Sequence, residues 1–207
     1  MFSFSKYINH FQNVFPEQEE TLPWKMIAGI ENIISKMILL LDENYITINN
    51  IAIHKSAKVE DTAIIKSPTI IAANAFVGSY SLLRGGVFVG EHSTVGTHCE
   101  IKSSIIFNHS ALAHFNFVGD SIIGNYVNME AGSAVANHFN ERKEKEIYVW
   151  LTNEIINTHS LKFGSLIADN TKIGANAVLC PGTILAKNSI VKRLELVEQL
   201  PLIKSSS

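Results

Sequence analysis

The stretch VEDTAIIKSPTIIAANAFVGSYSLLRGGVFVGEHSTVGTHCEI, residues 59–101, repeats with a period of six. Val59, Ile65, Ile71, Val77, Leu83, Val89, Val95 and Ile101 are all apolar, and the series extends back to Ile53 and forward to Phe107. Apolar residues make up 46% of the chain, so an unbroken series of this length is not an accident of composition. Four residues beyond each member the chain places Ala57, Ala63, Thr69, Ala75, Ser81, Val87, Ser93, Cys99 and Ile105, small or apolar throughout. A second run follows at Ile167, Ile173, Leu179, Leu185 and Val191, with Thr171, Ala177, Thr183 and Ser189 as its small partners.

Six is neither the period of a helix, about 3.6, nor that of an alternating strand, about 2. It fits a β-solenoid in which each hexapeptide supplies one short strand and one corner, the branched residue filling the interior and the small one letting the chain turn. With three sides to a coil, residues 18 apart stack. A sandwich of amphipathic strands would instead show period two with irregular turn spacing. The phase slips between Ala113 and Ile123, where Val118 interrupts the sixes, and returns at Met129 and Val135. It vanishes from Phe139 to Gly164, a segment opening with the charge run Glu141-Arg142-Lys143-Glu144-Lys145-Glu146. That segment, about 139–165, reads as a loop or hairpin ejected from one corner.

The fold expected is mainly β: a single-stranded parallel β-helix over 51–193, preceded by a helical cap or linker over 1–50 and followed by a tail over 194–207. In the N-terminal part Pro23 suits a first helical turn, and Trp24, Ile27, Ile30, Ile34, Met37 and Leu41 recur at helical spacing. A weaker helix is expected around Ser5 to Val14. Both are expected to cover the open end of the solenoid, where strand edges would be unpaired. Leu194 to Leu200 reads as a short capping helix, and Ser205–Ser207 as a disordered tail.

A formal charge of −2 offers no broad positive field for a phosphate backbone, so nucleic acid is not an expected partner. Cys99 and Cys180 are too few for a disulfide framework and sit inside apolar patterns, which suits buried free thiols in a reducing cytoplasm. No basic segment followed by a continuous apolar run opens the chain, and Met37 to Leu41 is far short of the roughly 20 residues a membrane span needs. A cytoplasmic, membrane-free protein is expected.

Chemistry concentrates in AHFNFVGDSIIGNYVNMEAGSAVANH, residues 113–138, and on two cations. Arg84 and Lys102 are 18 residues apart, so a three-sided coil stacks them on one face, geometry suited to clamping a phosphate. Read alone, they could equally be two solvated surface cations, and His114 a satisfied histidine beside the core.

The repeat resembles the left-handed β-helix acyltransferases, whose winding is an exception to the usual right-handed crossover. The 113–138 motif, with LPWKMI at 22–27, resembles the acetyltransferase domain of the bifunctional glucosamine-1-phosphate acetyltransferase / N-acetylglucosamine-1-phosphate uridyltransferase family, over about residues 22–190. The Gly-rich phosphate loop of that family's nucleotidyltransferase domain has no counterpart here. The resemblance implies a homotrimer with its site between subunits, and acetyl transfer from acetyl-CoA, as co-substrate, to the amine of an amino-sugar 1-phosphate, with no metal. It places His114 at the general base, a role for which a neutral imidazole is suited. It places Arg84 and Lys102 on the phosphate, Asn128, Asn137 and Lys143 on the acceptor, and Ala131 and Ala175 on the CoA side. Asn128 could instead join an internal asparagine ladder.

Three departures stand out. Phe117 replaces the family's tyrosine, whose hydroxyl bond to a charged group would be worth roughly 1.5–3 kcal/mol. Glu130 replaces a glycine near the CoA path, and the basic tail that contacts CoA phosphates in some members is missing. Two other classes compete. A γ-class carbonic anhydrase-like metalloenzyme would use His109 and His114, five residues apart, with a third ligand in the region of Ala73; His92 and His98 are expected on adjacent faces, unable to stack with that pair. A non-catalytic trimeric scaffold would tolerate the Phe117 and Glu130 departures.

Overall fold

A computed structural model describes residues 2–199 of the chain. The three walls of the solenoid are explicit in its strand registers. One column of parallel partners runs Ile53, Ile71, Val89, Ile106, Ile123, Ile167, Leu185. The second runs Val59, Val77, Val95, Leu112, Met129, Ile173, Val191. The third runs Ile65, Leu83, Ile101, Val118, Val135, Leu179, Val197. All three columns point inward into one core. The small residues turn the corners: Ser81, Ser93 and Ser110 are buried, and their hydroxyls donate to the carbonyls of Gly96, Phe107 and Gly124 in the following coil. A small side chain thus makes the turn and satisfies a buried backbone acceptor at once.

The phase slip begins earlier than the sequence suggests. Ile106 lies 17 residues after Val89, and Ile123 17 after Ile106, so two coils are each one residue short. Ile106, not Phe107, therefore fills the interior. Phe107 turns outward, onto Phe11 and Phe15, with ring centroids 5.4 and 5.7 Å away.

The N-terminal segment lies along the first wall instead of plugging the open end. The outward residues of that wall, Ala52, Ile70, Phe88, Ile105, Ile122, Leu166 and Ile184, are apolar and form one cluster with Phe11, Trp24, Ile27, Ile30 and Ile34. Such a wall is apolar on both faces and must be covered, which is why the helices pack there. Helical structure is also shorter than expected. The segment expected as a helix at Ser5–Val14 forms a 3-10 turn, Phe4–Lys6, and a short helix, Phe11–Val14, while the Trp24–Leu41 pattern divides at Gly29 into Pro23–Ala28 and Ile30–Ile38. Gly86 permits the close approach of the last helix: a Cβ there would meet the Glu31 backbone nitrogen at 3.0 Å. Asp169 fastens the segment, accepting from the Asn9 amide at 2.7 Å.

Tyr45–Ile48, read as helical from the sequence, is a strand antiparallel to Ile51–His54. Its β-branched Ile-Thr-Ile run favours a strand, and Asn49 and Asn50 at φ 50° and 61° supply the two-residue left-handed turn a hairpin needs. Among the described residues the expected C-terminal helix is likewise not formed: Leu196–Val197 pairs with Val178–Leu179 and continues the solenoid, Val197 standing six residues after Val191. Leu200 and Ser205–Ser207 lie outside the described residues. The excursion contains an antiparallel hairpin, Tyr148–Leu151 with Glu154–Asn157, whose Val149 and Leu151 join the outer cluster.

Candidate functional site

Arg84 and Lys102 are direct register partners on the third wall, followed in the next coil by Gly119. Each carries a carboxylate from its own chain. Arg84 donates to Glu100 Oε1, with Nη2 at 2.6 Å and Nε at 2.8 Å. Lys102 Nζ stands 2.7 Å from Asp120 Oδ2, and this pair is largely shielded, its side chains 17% and 10% exposed. Gly119 leaves the row open where a side chain would have stood: a Cβ there would meet Asn137 Nδ2 at 2.7 Å and the Phe117 ring at 2.9 Å. The glycine makes room for an amide and an aromatic ring beside two cations.

Between this edge of the wall and the excursion lies a groove of about 450 Å³, lined by Arg84, Lys102, Phe117, Asn137, His138, Lys145, Leu161 and Lys162. Asp120 ties its two sides together. Its carboxylate also accepts from Asn137 Nδ2, where the chain departs, and its carbonyl accepts from the Gly164 amide at 2.9 Å, where the chain returns. The excursion is thereby pinned to the wall at both ends. Four of the expected site residues, Arg84, Lys102, Phe117 and Asn137, meet here.

The others lie around the adjoining corner. His114 is exposed where the second wall turns into the third, and its carbonyl accepts from Gly132 at 2.9 Å. The same corner column continues through Ala131 and Ala175, whose carbonyls accept from Asn176 and Leu194 at 3.0 Å each. Small residues along it leave room for an extended thioester arm, but the Ala175 amide is already taken by Glu130 Oε2 at 2.9 Å. Arg193 grips the same carboxylate at two points, 2.8 Å each. Those hydrogen bonds, first from Arg193 and then from Ala175, hold the Glu130 carboxyl below the usual carboxylate range. Asn128 is exposed on the second wall, between Ala111 and Lys172 of neighbouring coils, and forms no internal ladder. Lys143 is exposed in the excursion, whereas Lys145 and Lys162 line the groove.

Asp120 had a signal in the sequence: it stands 18 residues after Lys102 and beside a glycine. Lys145 and Lys162 had none, because the excursion has no period from which to read direction; His138 closes the 113–138 motif but was given no role there.

The histidines are arranged differently from the sequence expectation. His92 does stack on His109, with ring centroids 4.9 Å apart and planes 3° apart, and His109 in turn stacks on Tyr126 at 4.8 Å. The shortened coil sets residue 109 rather than 110 over residue 92. His109 and His114 flank opposite ends of the strand Ala111–Leu112. Among the described residues no group of three or more His, Cys, Asp or Glu side chains could hold a metal ion.

A three-walled parallel coil of hexapeptides with an ejected loop defines the hexapeptide-repeat β-helix class of proteins. Within that class the chain resembles the acetyltransferase domain of the bifunctional nucleotidyltransferase/acetyltransferase proteins. It is 31% identical over 183 residues to the bifunctional protein GlmU of Methanococcus vannielii, covering 86% of this chain and 43% of that protein. It is 32% identical over 141 residues to a bifunctional sugar-1-phosphate nucleotidylyltransferase/acetyltransferase of Sulfurisphaera tokodaii, covering 65% of this chain and 34% of that protein. The chain thus spans less than half the length of these relatives. Residues 65–140 match the GMPPB C-terminal domain family. Among solved structures, a hexapeptide transferase family protein from Anaplasma phagocytophilum aligns with a TM-score of 0.35 at 18% identity, over 66% of this chain and 70% of that one. The acetyltransferase domain of PglB from Neisseria gonorrhoeae, in complex with acetyl coenzyme A, aligns with a TM-score of 0.27 at 18% identity, over 69% of this chain and 54% of that one. No helix among the described residues is long and apolar enough to cross a membrane.

Proposed function

We propose that the protein transfers an acetyl group from acetyl-CoA to the amine of an amino-sugar 1-phosphate. The observation that carries this reading is the Arg84–Lys102 register pair opening onto a groove that also holds Asn137 and the loop lysines. A sugar phosphate needs fixed cations for its anion and a dipolar group for its hydroxyls, and this groove offers both. In this reading Arg84 and Lys102 take the phosphate, each turning N–H groups not used by Glu100 or Asp120 toward it. Asn137 and Phe117 flank the sugar. Acetyl-CoA supplies the activated acyl carbon and a thiolate leaving group. His114 accepts a proton from the attacking nitrogen, and the column through Ala131 and Ala175 receives the donor's arm. Because His114 and Asn128 lie around the corner from the groove of one chain, the reading requires a second chain to bring such a corner to each groove, and a homotrimer does so. The first wall is already covered by the N-terminal segment, so the second and third walls are left for that contact.

The test is a panel of glucosamine, galactosamine and other amino-sugar phosphates with acetyl-CoA, following free thiol. Turnover with one of them, removed by His114→Ala in a variant that keeps its oligomeric state, supports the assignment; undiminished turnover in that variant rejects His114. One observation favours a non-catalytic scaffold: Glu130 occupies the Ala175 amide. Any ligand of the folded state raises its apparent stability, so no thermal shift at millimolar acetyl-CoA would favour that reading.

A further inference from the structure

A chain of hydrogen bonds leads from the buried side of the groove to its surface and fixes the state of an imidazole there. The Asp120 carboxylate, paired with Lys102, accepts from Asn137 Nδ2. A carboxylate in an ion pair only accepts, so the amide must turn its nitrogen toward Asp120 and its oxygen away. That oxygen, Asn137 Oδ1, lies 3.2 Å from His138 Nδ1. An amide oxygen also only accepts, so Nδ1 carries the proton, and in the neutral ring Nε2 is left with its lone pair. His138 is exposed and lines the groove beside Arg84, Lys102, Lys145 and Lys162, of which Arg84 is paired with Glu100 and Lys102 with Asp120. A base oriented by a second group, itself oriented by a buried carboxylate, is the arrangement that activates nucleophiles generally.

The chemistry has a place for a second base. An ammonium acceptor loses two protons on its way to an amide. The first leaves before attack, exposing the nitrogen lone pair. The second leaves after the C–N bond forms, as the adduct collapses and the C–S bond breaks. One proton ends on the thiolate and the other in solvent.

We propose that His138 takes the first of these protons at Nε2, with Asn137 and Asp120 as positioning residues. This rests on the N-acetyl-transfer reading above and confines the role of His114 in it to the second proton. His138 thereby sets which acceptors react at neutral pH: those that bind the groove as ammonium ions.

Two measurements test it. Nitrogen-15 spectra of the imidazoles in the intact protein should show His138 as the Nδ1–H tautomer, moving toward Nε2–H in Asn137→Ala and in Asp120→Asn; the Nε2–H tautomer in the wild type overturns the proposal. In acetyl transfer to glucosamine 1-phosphate, His138→Gln should lower kcat/KM at least 10-fold at pH 7. The deficit should shrink toward pH 9, where the acceptor arrives already deprotonated, while the deficit of His114→Ala stays. His138 is exposed, so the variant keeps its fold. No deficit, or one equal at both pH values, overturns the role of His138 while leaving acetyl transfer intact. A wild type that acetylates no amino-sugar phosphate overturns the acetyl-transfer reading and this role with it.

Discussion

At the scale of single residues, shielded charges bear most of the chemistry. Lys102 and Asp120 are mostly withdrawn from water, and Asp120 keeps an amide partner if the ammonium is lost. Removing one member of a buried pair typically costs roughly 3–5 kcal/mol. With residual exposure and the Asn137 bond retained, Lys102→Ala should cost about 2 kcal/mol in urea unfolding. Arg84→Ala, at a pair more than a third exposed, should cost less than about 1 kcal/mol. Equal losses would show that the shielding does not matter. Glu130 gives a pH signature. Its folded carboxyl titrates below the unfolded one, so the stabilisation it brings is present above the ordinary carboxylate range and is lost as pH falls through the folded value. The melting temperature of Glu130→Gln should lie below wild type at pH 7, and the gap should close in acid. A gap that widens in acid contradicts the clamp.

Among elements, the solenoid coil and the covering helix are held by different physics. Each inward side chain contacts its register partners above and below, so truncation leaves a void that neighbours cannot fill: Ile101→Ala should cost about 3 kcal/mol in urea unfolding. The helix Ile30–Ile38 is held by an apolar face against the first wall, and Gly86 lets it approach. Gly86→Val therefore forces the helix away and, at φ +86°, also strains the corner. It should increase binding of an apolar dye while far-UV circular dichroism keeps its β signal; an unchanged dye signal would show that the helix contact is dispensable. The inward pattern was readable because it is strictly periodic. The first of the two shortenings was not: dropping one residue replaces Phe107 by Ile106, and both are apolar, so composition cannot distinguish them. The hairpin at Tyr45–Ile48 was legible but unread: its Ile-Thr-Ile run and the Asn49-Asn50 turn both favour it, and the helical pattern just before it was extended over them.

For the whole molecule, one wall of three is buried within the chain, by the N-terminal segment and the excursion together. Deleting residues 2–41 should expose Phe88, Ile105, Phe107 and Ile122 and produce a soluble aggregate by light scattering, whereas a clean smaller species would show that the wall tolerates water. The sequence alone indicated the three-walled winding, the stacking of Arg84 with Lys102, and a segment at 139–164 that leaves the period, because a parallel coil repeats its environment at a fixed spacing and the residue types must repeat with it. Only the tertiary structure decided that the helices lie along a wall, that His92 meets His109, that Glu130 holds the Ala175 amide, and that His138, Lys145 and Lys162 come back to face the two cations. Those contacts join segments with no common period, and their partners are chosen by packing and charge in three dimensions.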